Sequence, residues 1–314
     1  MALALERLRA FAAADPRAAW GAIFEATPEV FEPSHAGKDA AAEVSRREQR
    51  AQAIDLFLAG AGWDLWDAYP GAVPRTADAV ATWWEAQIGG RAVLVLDGLS
   101  MREAPWIRDG AAERGFTVHE LRVTGTELPP ETTPFARALG VAQRSAFAKN
   151  DGGKGHRLPG ARADVTDIPF ADCADRVGAE PRWFLWHEWP DARLHALAAT
   201  GQGLRPLMKE AAQQLAGAGF WKLIERLATG RRLVVTSDHG YAATGDFPDV
   251  GGAQAQYLKA RFGSGRSAPP AAGNSDVALP FVPPLDLLVG TAGDPQPAVL
   301  GRRKWKSQGG YPLL

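Results

Sequence analysis

The sequence predicts an α/β fold: a mostly parallel central sheet flanked by helices, preceded by a helical N-terminal region. Three observations predict it. From Arg91 onward, short apolar runs alternate with amphipathic stretches, and strands that alternate with helices form parallel sheets through right-handed crossovers. Before that point apolar residues recur at three- and four-residue spacing with no strand-like run, which is the helical period. Finally, the apolar runs end in acidic residues or in Asp-His, and open α/β sheets bind ligands outside the carboxyl ends of their strands.

The helical region covers residues 1–88 and the α/β domain residues 89–314. In the first, ALERLRAFAAA, RREQRAQAIDLFLAGAGWDLWDAY and TADAVATWWEAQI are the helical stretches, with Thr76 as a cap for the last. Trp63, Trp66, Trp83 and Trp84 read as packing residues. In the second, AVLVLDG is a buried strand and MREAPWIRDGAAERG a helix. FTVHELRVTG reads as a second strand and TPFARALGV as a helix opened by Thr-Pro. AKNDGGKGHRLPG lacks the strand–GxxxxGK[ST]–helix setting of a phosphate loop and reads as a flexible loop. RWFLWHEWP is a third strand, LRPLMKEAAQQLAGAGFWKLIERLATG one long amphipathic helix, and LVVTSDHG the closing strand. Beyond residue 242 the chain is rich in Gly and Pro, with DLLVGT and AVLGRRKW as possible strands.

Bulk composition excludes several classes. Lys+Arg 35 against Asp+Glu 36 leaves a formal charge of -1, so no overall attraction to nucleic acid or membrane surfaces is built in. A single cysteine, Cys173, excludes an intrachain disulfide and a cysteine-rich metal site. MALALERLRAF meets charge too early for a secretory leader, and no apolar run is long enough to span a bilayer. These features predict a cytoplasmic protein with no membrane partner.

The strand ends carry the chemistry. Asp97 follows AVLVL, Asp191 and His195 follow the third strand in EWPDARLH, and Asp238 and His239 follow LVVTS. Asp191 and His195 are four apart, so a helical turn presents both on one face. One Asp at one strand end is most often a cap or turn residue. Three strand ends with carboxylates, two accompanied by His, favour metal ligation, and this mixture of oxygen and imidazole donors suits zinc or manganese.

VLVLDGLSMREAPWI, ELPPETTPFARAL, EWPDARLH and VVTSDHGY, in that order, resemble the PglZ-domain branch of the alkaline phosphatase superfamily. The resemblance covers about residues 91–314 and implies an alkaline-phosphatase-like sandwich with two divalent metal ions and a hydroxyl nucleophile. By position, Asp97, Asp238 and His239 would hold one ion together with a threonine oxygen, and Asp191 and His195 the other. The nucleophile would be Thr133 or Thr132 in PETTPF. Thr133 precedes Pro134 as an N-cap precedes Pro at the first helical position, which favours it; spacing from Leu128-Pro129 favours Thr132. A cation beside that oxygen would ease its deprotonation for in-line attack on a phosphate ester.

The resemblance also implies a third ligand for the Asp191/His195 ion, in a His-containing segment just after a stretch like YPLL, where this sequence reaches Leu314. A shortened chain, an incomplete site, or a substitute among His187, His156, His119 and His35 would each account for this. Lys149, Lys154, His156 and Arg157 are candidate phosphate contacts. Arg302, Arg303 and Lys306 around Trp305 are candidates for steering a nucleotide or nucleic-acid strand, against the commoner reading of a solvated hairpin.

The expectation is therefore a zinc- or manganese-dependent phosphodiesterase in bacterial phage defence or signalling. The alternative is a catalytically weak or inactive module of the same fold, working among protein partners of a defence complex.

Overall fold

Four parallel strands organise the protein. The computed structural model describes residues 9–32, 46, 50, 54, 63–127, 131–149, 155–193, 204–240, 242–243 and 307–308. Strands β1 (Arg91–Leu96), β2 (Arg162–Thr166), β3 (Arg182–His187) and β4 (Arg232–Thr236) lie in the order β2-β3-β1-β4. β1 pairs with β3 from Arg91 opposite Arg182 to Leu96 opposite His187, and with β4 from Arg91 opposite Arg232 to Val95 opposite Thr236. All of β1 is buried, and this explains RAVLVL, because a central parallel strand covered on both faces needs apolar residues without alternation. β5 (Ala242–Ala243) and β6 (Ser307–Gln308) form a separate antiparallel pair.

Helices cover both faces. They are α1 (Pro16–Phe31), α2 (Trp63–Ala72), α3 (Thr76–Ala86), α4 (Ala104–Glu113), α5 (Thr132–Ala138), α6 (Phe170–Arg176), α7 (Leu204–Ala216) and α8 (Ala218–Ala228), with a 3-10 turn at Arg144–Lys149. Ala92, Leu94 and Leu96 of β1 point to one face, where Cys173 of α6, Leu215 of α7 and Phe220, Leu223 and Leu227 of α8 meet them. Val93 and Val95 point to the other, against Val80 and Trp84 of α3, Phe135 of α5 and Phe147. A third apolar cluster joins Trp20, Ile23 and Val30 of α1 to Tyr69 of α2, and takes in Met101 and Val123. α3 thus packs in the core of the sheet rather than with α1 and α2.

Several sequence expectations change. FTVHELRVTG forms no ladder: residues 117–122 are exposed, and Gly125 alone bridges to Arg75. The sheet position beside β3 belongs instead to RADVT, whose mixed polar composition carries little strand signal, so tertiary pairing decides it. The predicted long helix breaks at Gly217, which has extended backbone (φ -69, ψ 145) and precedes α8. Thr76 is not the cap of α3. Arg75 holds that position, and the Thr76 hydroxyl instead lies 2.8 Å from the Thr124 hydroxyl and donates to the Gly125 carbonyl at 3.1 Å. Trp84 is fully buried, as expected of a packing residue. DLLVGT and AVLGRRKW lie outside the described residues. Among the described residues, no helix is long and apolar enough to cross a membrane.

Candidate metal centre at the carboxyl edge of the sheet

Parallel pairing brings the carboxyl ends of β1, β3 and β4 to one edge. Asp97 follows β1 directly, Glu188 follows β3, and Ser237-Asp238-His239 follow β4. Backbone bonds continue past the strands: Asp97 N donates to His187 O at 2.9 Å, and Asp191 N to Asp97 O at 2.9 Å. Gly98 makes this approach possible. Its φ is +72°, and a Cβ there would lie 3.0 Å from Cβ of Asp191, so a side chain would be strained in backbone and crowded in space.

Asp97, Asp191 and His239 each offer one donor atom, and the three atoms lie within 4.8 Å of one another. His239 Nε2 is 3.6 Å from Asp97 Oδ1 and 3.5 Å from Asp238 Oδ2. The backbone N–H of Gly98 donates to Asp238 Oδ1 at 3.0 Å, whereas the buried Asp238 Oδ2 accepts no hydrogen bond. His239 Nδ1 donates to Gly240 O at 2.9 Å, which leaves Nε2 facing the carboxylates. A second partner of this kind commonly orients a metal-bound imidazole.

The electrostatics are those of a site short of positive charge. Burial, and then the neighbouring Asp238, push the Asp97 carboxyl up to about 8, with Asp191 adding to the shift and His239 and Arg144 opposing it. Burial lowers the His239 imidazole, but Asp238, Asp97 and Asp191 together outweigh that and raise it to about 9. Without a cation these groups therefore retain protons. Crowded carboxylates, an orphaned buried oxygen and a single imidazole form a donor set of the kind that holds a divalent cation.

Thr132 stands beside this cluster. It is the first residue of α5, with Glu131 as N-cap, so the N-cap position expected for Thr133 falls two residues earlier. Thr132 Oγ1 lies 3.4 Å from Asp97 Oδ1 and 3.4 Å from His239 Nε2. Among the described residues, the Thr133 hydroxyl makes no such contact. Three side chains unremarked in the sequence, Arg144, Glu188 and Trp186, complete the surroundings. Arg144 donates to Asp97 Oδ2 and pairs with Glu188 Oε1 at 2.9 Å. Trp186 Nε1 donates to Asp97 Oδ2 at 3.1 Å. Glu188 had a readable signal as an acidic residue at a strand end; Arg144, in an undistinguished RSAF stretch, had none.

Other candidates fall elsewhere. His195, Lys154, Arg302, Arg303 and Lys306 lie outside the described residues, as does His35. His187 has both ring nitrogens engaged: Nδ1 accepts from Trp189 N at 3.1 Å, and Nε2 donates to Ile168 O at 2.8 Å. It is a packing residue, its ring tilted against Phe170 with centroids 4.4 Å apart. His156 Nδ1 accepts from Leu158 N at 3.2 Å, His119 is exposed, and Arg157 pairs with Asp78 at 2.6 Å. The sequence matches no family model and no curated protein.

Proposed function

We propose that this protein is a metal-dependent phosphohydrolase of the PglZ-domain branch of the alkaline phosphatase superfamily, acting on a phosphodiester in bacterial phage defence or signalling. The observation that carries the proposal is the convergence of Asp97, Asp191, Asp238 and His239 on one edge, with the Thr132 hydroxyl 3.4 Å from both Asp97 and His239.

Asp97, Asp238 and His239, joined by Asp191, would hold one divalent ion, zinc or manganese. Asp191 with His195 would hold a second. Bound cations supply charge that stabilises the attacking and leaving oxygens. Thr132 is the nucleophile that this geometry favours over Thr133. Its oxygen forms the new P–O bond while the bond from phosphorus to the leaving alcohol breaks, giving a phosphothreonine. Water then attacks phosphorus, the Thr132 oxygen leaves, and it regains a proton. The Thr132 hydroxyl donates to Asp97 Oδ1 at 3.4 Å, so that carboxylate would take its proton, His239 Nε2 being committed to the ion. Arg144, 26% exposed and aligned by Asp97 and Glu188, is placed to bind a phosphoryl oxygen through its fork of N–H donors.

Elemental mass spectrometry of the dialysed protein, with hydrolysis of bis(p-nitrophenyl) phosphate, tests this. The expected result is bound zinc or manganese and metal-dependent hydrolysis that Thr132→Ala reduces at least a hundredfold while metal content holds. Full activity in Thr132→Ala with loss in Thr133→Ala would move the nucleophile to Thr133. Absence of metal after zinc and manganese are offered would overturn the enzyme reading and leave a protein-interaction module.

A further inference from the structure

Glu188 is a carboxylate of the carboxyl edge to which the proposed chemistry gives no part beyond aligning Arg144. It follows β3 directly, and its backbone is fixed from two sides. Glu188 N donates to Thr166 O at the end of β2 at 2.9 Å, and Ala192 N donates to Glu188 O at 3.1 Å in the turn that carries Asp191. The sheet thus delivers this side chain to a set position.

That position lies across a guanidinium from the metal centre. Arg144 donates through one terminal nitrogen to Asp97 Oδ2 and pairs through the other with Glu188 Oε1 at 2.9 Å. The three groups run from inside to outside: the Asp97 side chain has no exposure, Arg144 has 26% and Glu188 has 32%. Alignment alone does not require Glu188, since buried Asp97 already fixes one end of the fork. A second carboxylate on the outer side changes the charge that a ligand meets. Each terminal nitrogen of a guanidinium carries two N–H groups, so Arg144 keeps donors for a phosphoryl oxygen. An oxygen bound there comes within about 6 Å of Glu188 Oε1, because the guanidinium is small and planar.

We infer, on the phosphohydrolase reading above, that Glu188 is a specificity-determining residue that makes the site select phosphodiesters over phosphomonoesters. A diester carries one negative charge, which Arg144 can match. A monoester carries close to two at neutral pH. Its second charge faces the Glu188 carboxylate, which already draws on the same guanidinium. Repulsion at this range is worth a large factor in affinity even when partial exposure weakens it. Selection against the wrong substrate by a placed like charge is a common device of specific sites.

The discriminating variant is Glu188→Gln, which keeps an oxygen to accept from Arg144 and removes only the charge. For zinc-loaded parent and variant, kcat/KM is measured with p-nitrophenyl phosphate and with bis(p-nitrophenyl) phosphate. Calorimetry then measures the binding of inorganic phosphate and of dimethyl phosphate to both proteins in a Thr132→Ala background. The expected result is a monoester-to-diester ratio raised about tenfold or more in the variant. Affinity for phosphate relative to dimethyl phosphate should rise in the same direction, and both changes should shrink as salt goes from about 50 to 200 mM. A residue that only aligned Arg144 would lower both esters together and leave the ratio unmoved. That outcome overturns the inference while the phosphohydrolase reading stands, as does a parent that prefers the monoester. A parent that neither hydrolyses nor binds any of these probes overturns the phosphohydrolase reading, and the inference with it.

Discussion

Asp238 is held by one oxygen and left without a hydrogen bond on the other. In a buried setting beside Asp97 and His239 this costs stability that a cation would offset. Asp238→Asn keeps the oxygen that receives the Gly98 N–H and removes the crowding negative charge. The expected outcome is a divided one: in chelator the variant melts within about two degrees of the parent, because relieved crowding of Asp97 is offset by lost attraction to the His239 imidazolium, while it retains less zinc. Differential scanning fluorimetry with and without metal checks both. A merely structural Asp238 would lose stability in both conditions.

At the scale of elements, β1, β3 and β4 were legible because AVLVL, RWFLWH and LVVTS are buried runs that need no partner knowledge to recognise. Their acidic ends were legible for the same reason, since register in a parallel sheet carries every strand's carboxyl end to one edge. β2 was not legible, because RADVT becomes a strand only through its pairing with β3. α5 was found, but its start was misplaced, and a shift of two residues decides whether Thr132 or Thr133 faces Asp97. Arg144 could not be found, because the 3-10 turn that brings it to Asp97 has no distinct periodicity.

β3 also carries a pH consequence. His187, its last residue, is pulled below its ordinary 6.5 by burial, against a raising hydrogen bond to the Ile168 carbonyl and the charge of Asp167. The unfolded chain then takes up a proton near 6.5 while the folded chain takes it up only at lower pH. Stability is therefore flat on this account above about 6.5 and falls as pH drops below it, by up to about 1.4 kcal/mol per unit. Urea midpoints for the parent and His187→Gln at pH 7.5 and 5.5 should show a smaller acid-induced loss in the variant. An identical loss would exclude His187 as its source.

Across the whole molecule the sheet separates two kinds of chemistry. Carboxylates and an imidazole gather at the carboxyl edge, and an arginine opens each strand at the amino edge. Six residues of β1 hold the two edges about 20 Å apart, far enough to screen one from the other at physiological salt. The same strand is covered by helices drawn from both the beginning and the middle of the chain. Tyr69 donates to Thr126 O at 3.0 Å, and a Cβ on Gly125 would come within 2.3 Å of the Tyr69 oxygen, so the segment before α5 is fitted against α2.

The placement of α3 limits where this protein can be shortened. A fragment starting at Arg91, which the change from helices to strands would suggest as a natural cut, would leave behind Ala77, Val80 and Trp84 and open the face of Val93 and Val95 to water. Such a fragment should be recovered mainly as aggregate, whereas one starting near Val73 should keep that face covered; size-exclusion chromatography of the two would tell them apart. The visible change in sequence character and the mechanical seam of the fold lie a full helix apart.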